Sequence, residues 1–228
     1  MDLSEQQVFE DNSQMTKAVY EDLAYAINHG IVVSNLAYNV AEELGKNGLF
    51  CHEMATAGLL HDIGKLRLCK YLYGRSKDTL KIEEMKYVRM HSKFSYQILQ
   101  KENYDPFILE SIYHHHENYD GSGYPDNLKA DDIPFGARIL RVCDVFAALV
   151  SDRPYREAFD IDTAVELMID EVKNFDMKVF LAFQRFINSD NFKKTKKLIQ
   201  DKSSIQSLLL KEEQHDYAKT KRNAGLVR

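Results

Sequence analysis

Cysteine is scarce in this chain of 228 residues, and its three copies are poorly placed for cross-linking. Cys51, Cys69 and Cys143 are odd in number and form none of the close pairs that thiolate metal sites use. We interpret them as reduced thiols that behave as small buried hydrophobic side chains. This scarcity argues against a disulfide-stapled secreted domain and favours a cytoplasmic protein.

Other absences narrow the class of protein further. No apolar run approaches the ~20 residues that span a bilayer. The N-terminus lacks the basic start and apolar core of a signal peptide. The net charge of −5 argues against a protein that coats nucleic acid polymers or a polybasic membrane protein. A metal site with a few well-placed cations would still bind phosphate on such an acidic chain.

Helical signals dominate the sequence. Apolar side chains recur at helical spacing from Leu23 to Leu44, and Gly45 supplies a stop. The 4 prolines and 10 glycines concentrate between the proposed helices, and no segment alternates long enough to predict a strand. We therefore predict an all-α domain. Its further helices are expected over about 53–64, 82–100, 106–117 and 134–149, and Asp105 is expected to cap the third of these. Two more helices should follow, with Asp162 and Asp176 as their N-caps, and end near Asn188.

Three segments are expected along the chain. Residues 1–22 are polar and weakly patterned, which indicates a short leader or helix. Residues 23–188 would form the domain. Residues 189–228 would form a basic helix or tail, whose lysines are best explained as a solvated helical face.

His61 and Asp62 lie side by side near the end of the second predicted helix. A buried aspartate is costly unless it is paired or bound to metal, and imidazole with carboxylate suits Mn, Fe or Zn. Gly64 would permit a tight exit from the helix, and Lys65 would offer a fixed positive charge to phosphate. A His-Asp dipeptide alone, however, often arises by chance.

Three successive histidines, His114, His115 and His116, precede a glycine-rich turn that ends in Tyr124 and Pro125. Successive helical positions lie ~100° apart, so the three cannot easily face one centre. Spacing alone does not choose among them, and a histidine-rich tract is equally compatible with a surface location.

Asp144, His91 and His29 each have an ordinary explanation. Asp144 lies among apolar neighbours on its helix, where it could bind metal or pair with Arg138 or Arg141. A lone histidine in a helix, such as His91 or His29, is more often a satisfied core residue than a ligand.

Taken together, these residues resemble the HD-GYP family of metal-dependent cyclic dinucleotide phosphodiesterases over roughly residues 23–188. The matches run in the family's order, and five of the eight histidines fall at motif positions, which excludes a scaffold with accidental histidines. The matched residues are His29; then His61, Asp62, Gly64 and Lys65 of the HD-x-G-K motif; then His91; then His115, His116, Glu117, Asp120, Gly121, Gly123, Tyr124 and Pro125 of the HHE-xx-DG-x-GYP signature; and finally Asp144 with Arg153, Pro154, Tyr155 and Arg156 of R-P-Y-R.

The resemblance implies an HD-domain helical bundle of the HD-GYP type that holds two divalent metal ions, Fe or Mn. Asp62 would bridge the metals, which would activate a shared water and clamp the phosphate oxygens, while His114 would point away. The implied metal ligands are His29, His61, Asp62, His91, His115, His116 and Asp144. The implied catalytic residues are Asp62 and Lys65, and the implied substrate-binding residues are Lys65, Arg153 and Arg156.

By the same resemblance, the reaction is hydrolysis of cyclic di-GMP to linear pGpG, with onward hydrolysis to GMP left open. Glu117 would orient a histidine. Tyr25 stands where members with a third metal carry a glutamate, so two metals are expected. Ala147 stands where many members carry a second aspartate.

Two alternatives remain. One is hydrolysis of another cyclic dinucleotide, such as mixed cyclic GMP-AMP, since nothing outside the metal motifs identifies the base. The other is a catalytically inactive module that binds nucleotide or a partner protein. No sensory module is evident in the sequence, so either the domain acts alone or a partner supplies control. The partners considered are a regulatory protein and a further copy of the chain in a homo-oligomer.

Overall fold

The computed structural model describes residues 3–68, 86–152 and 156–200, with the backbone alone for 3–22. Eight α-helices and three short 3₁₀ helices lie wholly within these ranges, which confirms the all-α prediction. The α-helices are α1 (Leu3–Glu43), α2 (Gly48–Leu60), α3 (His91–Lys101), α4 (Pro106–Tyr113), α5 (Phe135–Leu149), α6 (Ile161–Asp170), α7 (Met177–Ile187) and α8 (Phe192–Gln200). The 3₁₀ helices are Ile63–Leu68, Ala130–Asp132 and Val172–Asn174.

Helix α1 is the central element of the bundle, packed against α2, α5, α7 and α8. Its apolar stripe, which includes Val33, Leu36 and Val40, is fully buried. On the far side of the core, Phe146 of α5 meets Phe183 of α7 edge to face, with ring centroids 4.9 Å apart. The aromatic contacts and the apolar stripe form one continuous core. This packing fixes the positions of α1, α2 and α5, which carry part of the polar cluster described below.

Local signals set several helix boundaries as the sequence indicates. The amide of Gly45 donates to the carbonyl of Glu42 (2.8 Å), and Gly45 has a φ of 70°, the left-handed conformation that ends many helices. The side chains of Asp105 and Asp176 cap α4 and α7. The predicted cap Asp162 is wrong, because Asp160 accepts from the amide of Thr163 (3.0 Å) and caps α6.

Three predicted helices have different bounds in the structure. Helix α2 spans Gly48–Leu60 and not about 53–64, since a turn and a 3₁₀ helix follow Leu60. The other two corrections concern histidines. The helix expected over 82–100 is interrupted by a turn at 89–90, so His91 is the first residue of α3 and not a mid-helix residue. Residues 69–85 lie outside the described ranges. Helix α4 ends at Tyr113 and not near Glu117, because the amide of His114 closes its last turn on the carbonyl of Glu110 (3.2 Å). His115 and His116 therefore follow the helix in a turn.

The backbone of α1 runs unbroken through the proposed boundary at residues 22 and 23. At the other end, α8 joins the bundle through buried Phe192 and Thr195, and the Thr195 hydroxyl donates to Asn35 Oδ1 (2.6 Å). The lysines of α8 are exposed, as expected of a solvated face. None of the described helices is both long and apolar enough to cross a bilayer. Residues 201–228 lie outside the described ranges.

Candidate metal centre

The structure brings all seven expected metal ligands together at one end of the bundle. They come from α1, the C-terminal end of α2, the first residue of α3, the turn after α4, and α5. Three overlapping groups each place their ligand atoms within 4.8 Å of one another. These groups are His29, His61 and Asp62; His61, His115 and Asp144; and His91, His115 and His116.

One half of the cluster pairs carboxylates with imidazoles. His29 Nε2 lies 2.9 Å from Asp144 Oδ1, although 115 positions separate the two residues. His61 Nε2 lies 3.3 Å from Asp62 Oδ2 and 3.6 Å from Asp144 Oδ1. The sequence left open a pairing of Asp144 with Arg138 or Arg141. That alternative is wrong, since histidines surround this carboxylate.

The other half of the cluster is built from histidines. His91 Nε2 lies 3.3 Å from His115 Nε2 and 3.0 Å from His116 Nε2. Asp62 joins the halves, because its Oδ2 faces His61 while its Oδ1 lies 3.3 Å from His91 Nε2. A single carboxylate therefore presents one oxygen to each half.

Backbone carbonyls orient three of the imidazoles. The Nδ1 atoms of His61, His91 and His115 lie 2.6–2.8 Å from the carbonyl oxygens of the residues three positions earlier. A carbonyl oxygen can only accept, so each Nδ1 carries a hydrogen and donates it. In the neutral ring the lone pair is then on Nε2, which faces the cluster. Metal-binding histidines are commonly held in this way.

These donors fit a divalent metal. In their neutral forms, His91 and His115 direct two Nε2 lone pairs at each other over 3.3 Å, an arrangement that a cation between or beside them would favour. Buried Asp62 Oδ1 and His61 Nε2 also have no hydrogen-bond partner. Imidazoles mixed with carboxylates suit Fe, Mn and Zn better than metals that prefer thiolates.

Charge is distributed unevenly over the metal-free cluster. Burial disfavours the imidazolium of His61, but Asp62 and Asp144 outweigh burial and raise its pKa to about 10. Burial, with the neighbouring His61 and His91, lowers the pKa of His115 to about 3. Burial also lowers the pKa values of His91 and His116. At neutral pH, His61 therefore holds a proton that a metal must displace.

We expect metal binding to release about one proton per chain at pH 7–9. A folded pKa of about 10, above the usual value of 6.5, keeps His61 protonated throughout this range. Affinity for Mn²⁺ should then rise roughly tenfold per pH unit up to about pH 10 and level off above it. Titration of metal-free protein in weak buffer would count the protons, and His114→Gln should release the same number. Affinity that does not change between pH 7 and 9 would contradict this assignment.

Gly64 is required for close packing, not for the helix exit that the sequence suggested. It does not adopt the left-handed conformation of Gly45 and Gly121. A Cβ atom on Gly64 would lie 2.1 Å from the carbonyl oxygen of His91 and 2.5 Å from the amide of Ser95. The missing side chain lets the segment after Asp62 pack on the first turn of α3.

Ser95 bridges the same two segments. Its hydroxyl accepts from the amide of Gly64 (2.8 Å) and donates to the carbonyl of His61 (2.7 Å), with no exposed surface. We expect Ser95→Ala to lower the free energy of unfolding by about 1–3 kcal/mol, because two buried backbone groups lose their partner. Urea unfolding would measure this, with Lys101→Ala, at an exposed position of the same helix, as control. A loss no larger than that of the control would show that the bridge is dispensable.

The glycine-rich turn packs against the histidines that precede it. The ring of Tyr124 stacks on His116 with centroids 4.7 Å apart, and its amide donates to the carbonyl of His116 (3.2 Å). Buried Glu117 accepts from the amide of Asp126 (2.7 Å), so it holds this turn in place. Gly123 fits here because a Cβ atom would lie 2.2 Å from the amide nitrogen of Asn118.

His114 lies outside the cluster. Its Nε2 is 3.4 Å from Glu110 Oε2, and its Nδ1 is 3.8 Å from Glu117 Oε1. It belongs to none of the three ligand groups.

The expected cationic residues have unequal positions. Lys65 Nζ lies 2.5 Å from Asp62 Oδ2, directly beside the cluster. The guanidinium of Arg156 instead donates to the carbonyls of Ala148 (2.7 Å) and Leu149 (3.2 Å) at the end of α5. Arg153 lies outside the described residues. Of the substrate-binding set, the structure thus places Lys65 at the centre and gives Arg156 other partners.

Three residues near the centre were not singled out from the sequence as site residues: Ser95, Asn118 and Arg141. No spacing rule marks a buried serine in α3 or an asparagine beside a motif. Arg141 lies three residues before Asp144, and this helical spacing was its only available signal.

Comparison with known proteins supports the identification. The family model described as HD domain matches residues 4–179. A cyclic di-GMP phosphodiesterase of Pseudomonas aeruginosa is 32% identical over 72% of this chain and 39% of its own length. The response regulator RpfG of Xanthomonas campestris, also named a cyclic di-GMP phosphodiesterase, is 38% identical over 58% of this chain and 35% of its own. The 3'3'-cGAMP-specific phosphodiesterase 1 of Vibrio cholerae is 32% identical over 73% of this chain and 39% of its own length.

Solved structures show the same fold. An HDG"Y"P protein from Bdellovibrio bacteriovorus superimposes with a TM-score of 0.60 at 22% identity, over 73% of this chain and 53% of that one. The chain spans only 35–39% of the length of the three curated relatives. On the family model, the curated relatives and the two signature motifs, this chain belongs to the HD-domain family, in its HD-GYP branch.

Proposed function

We propose that this chain is a metal-dependent phosphodiesterase that hydrolyses cyclic di-GMP to linear pGpG. The observation that carries the proposal is the convergence of seven buried or half-buried ligands, with Asp62 presenting one oxygen to each half. Curated relatives named as cyclic di-GMP phosphodiesterases support the substrate. The presence of both signature motifs argues against the catalytically inactive alternative.

Two metals, iron or manganese, would be held by the two halves of the cluster, with His29, His61 and Asp144 in one, and His91, His115 and His116 in the other. When bound, such ions lower the pKa of water and neutralise charge on the phosphodiester. Asp62 lies between the two halves and contacts His61 in one and His91 in the other. The carbonyls behind His61, His91 and His115 keep their Nε2 atoms aimed inward. Lys65, with about a third of its side chain exposed, provides a cation at the rim where the phosphodiester would enter.

The number of metals follows from Tyr25. Its ring lies parallel to that of His29 with centroids 6.3 Å apart. By resemblance to the family, this phenol stands where members with a third metal place a carboxylate. Neutral phenol is a weaker ligand than carboxylate for these ions. Elemental analysis of intact protein should find two metals per chain, and three would refute this assignment.

A second substrate is favoured by one specific observation. The 3'3'-cGAMP-specific phosphodiesterase 1 of Vibrio cholerae matches this chain at the same identity, 32%, as the cyclic di-GMP enzyme of Pseudomonas aeruginosa. Mixed cyclic GMP-AMP is therefore the alternative substrate. A cytoplasmic location, and a regulatory protein partner or a homo-oligomer, remain predictions.

The test is turnover by protein purified without oxygen and loaded with Mn²⁺ or Fe²⁺. Cyclic di-GMP and cyclic GMP-AMP would be supplied separately and then in competition. Preferential release of linear pGpG supports the proposal, and preferential cleavage of cyclic GMP-AMP supports the alternative. Tight nucleotide binding without cleavage at full metal occupancy would indicate an inactive binding module.

A further inference from the structure

Arg141 is a rigidly held cation beside the metal centre. It lies on α5, one helical turn before Asp144. Its Nε donates to Asn118 Oδ1 (2.9 Å), and Asn118 Nδ2 donates in turn to Ser122 Oγ (2.9 Å). The glycine-rich turn thus holds the guanidinium by its inner nitrogen and leaves the outer pair of nitrogens to form other bonds.

The terminal nitrogens of Arg141 lack the close partners that those of two other half-buried arginines have. Arg138 binds Asp131 (2.6 Å) and Asp176 (2.9 Å), and Arg156 binds two backbone carbonyls. Within the described ranges, no carboxylate lies within 4.0 Å of the Arg141 guanidinium, and its terminal nitrogens have no hydrogen-bond partner. Since a half-buried cation is costly without a counter-charge, this position favours an anionic ligand.

The charge acts on the metal centre itself. Burial lowers the pKa of the Arg141 guanidinium, and Asp144, Tyr124 and Glu171 offset this only in part. The same charge contributes to the lowered pKa of His116 and opposes the raised pKa of Tyr124. Arg141 therefore lies within electrostatic reach of both halves of the cluster.

We propose that Arg141 binds two oxygens of the substrate's phosphodiester through its terminal nitrogens, while its Nε stays bonded to Asn118. This inference rests on the proposed function for its natural substrate, but it concerns any phosphate anion that enters the site. A forked guanidinium–phosphate pair gives both charge neutralisation and orientation. The terminal nitrogens of Arg156, by contrast, already donate to carbonyls at the end of α5.

The test compares Arg141→Met and Arg141→Lys with Arg185→Met, a control at an exposed arginine. Three quantities are measured on Mn²⁺-loaded protein: kcat/KM for cyclic di-GMP, kcat/KM for bis(p-nitrophenyl) phosphate, and the inhibition constant of inorganic phosphate. Arg141→Met should lower both kcat/KM values by about 100-fold. It should also weaken phosphate inhibition roughly tenfold or more. Arg141→Lys should lose less, and added guanidinium ion should partly restore the methionine variant.

The outcomes separate the two proposals. If wild-type protein ignores cyclic di-GMP but phosphate inhibition still depends on Arg141, the proposed function fails and this inference stands. If Arg141→Met or Arg141→Lys keeps its metal and shows unchanged phosphate inhibition and kcat/KM, the inference is overturned. If Arg141→Met loses its metal, the same measurements on Arg141→Lys decide the question, because lysine keeps the aliphatic stem and the charge. A loss confined to cyclic di-GMP would also overturn it, because it would indicate contact with a base and not with phosphate.

Discussion

Replacing Asp62 with asparagine is expected to lower phosphodiesterase activity by more than about 100-fold. This exceeds the loss of activity that usually follows when a residue that only orients a metal ligand is replaced. The carboxylate reaches His61 through Oδ2 and His91 through Oδ1, so its two oxygens connect the two halves of the cluster. Asparagine keeps the shape but offers one oxygen and no charge. Metal content should fall along with activity, since the halves lose their shared anion.

Turnover and elemental analysis would be measured on the same preparation. Asp132→Asn is a suitable control because Asp132 is an exposed aspartate outside the cluster. Retention of two metals and a tenth or more of the activity in Asp62→Asn would show that this carboxylate is not shared.

Gly64→Ala should produce a large loss of stability. The new Cβ would meet two backbone atoms, the carbonyl oxygen of His91 at 2.1 Å and the amide nitrogen of Ser95 at 2.5 Å. Neither can rotate away, so α3 must move relative to the segment that carries His61 and Asp62. Overpacking of this kind costs about 1–3 kcal/mol or more. Metal affinity should fall as well, because the shift separates His91 from Asp62.

Gly48→Ala provides the matched control. Gly48 begins α2, and nothing lies within 4 Å of the position that its Cβ would occupy. Alanine there should be neutral or stabilising by up to about 1 kcal/mol. Urea unfolding of both variants gives the comparison, and equal stabilities would show that the packing at Gly64 relaxes freely.

Most of the fold could be predicted because its determinants are local. The apolar spacing around Leu36 and the stop at Gly45 define α1, and Asp105 and Asp176 cap their helices with their own side chains. Such signals act within one or two turns and can be read without tertiary structure.

The interruption before His91 could not be predicted from local signals. Met90 carries no capping side chain, and the bond from His91 to the carbonyl of Val88 depends on the ring's orientation toward the cluster.

The site was predictable as a set of residues but not as an arrangement. Resemblance to a family put the seven ligands in order, whereas the contact between His29 and Asp144 depends on how α1 and α5 pack. The positions of the cations were harder to predict. Arg156 and Arg141 have the same chemistry, yet carbonyls at the end of a helix engage one, and a loop asparagine orients the other. Hydrogen bonds between distant segments decide such differences, and periodicity carries no information about them.

The scattering of the ligands along the chain links metal supply to protein lifetime. Residues from His29 to Asp144 meet only in the native state, so an unfolded chain offers the metal no comparable site. Free metal at 100 times its dissociation constant would then stabilise the folded chain by about 2.7 kcal/mol. Starvation for metal should therefore reduce abundance as well as turnover, because unloaded chains unfold more often and are exposed to proteases. The level of this protein in the cell would follow the supply of the ion that it uses.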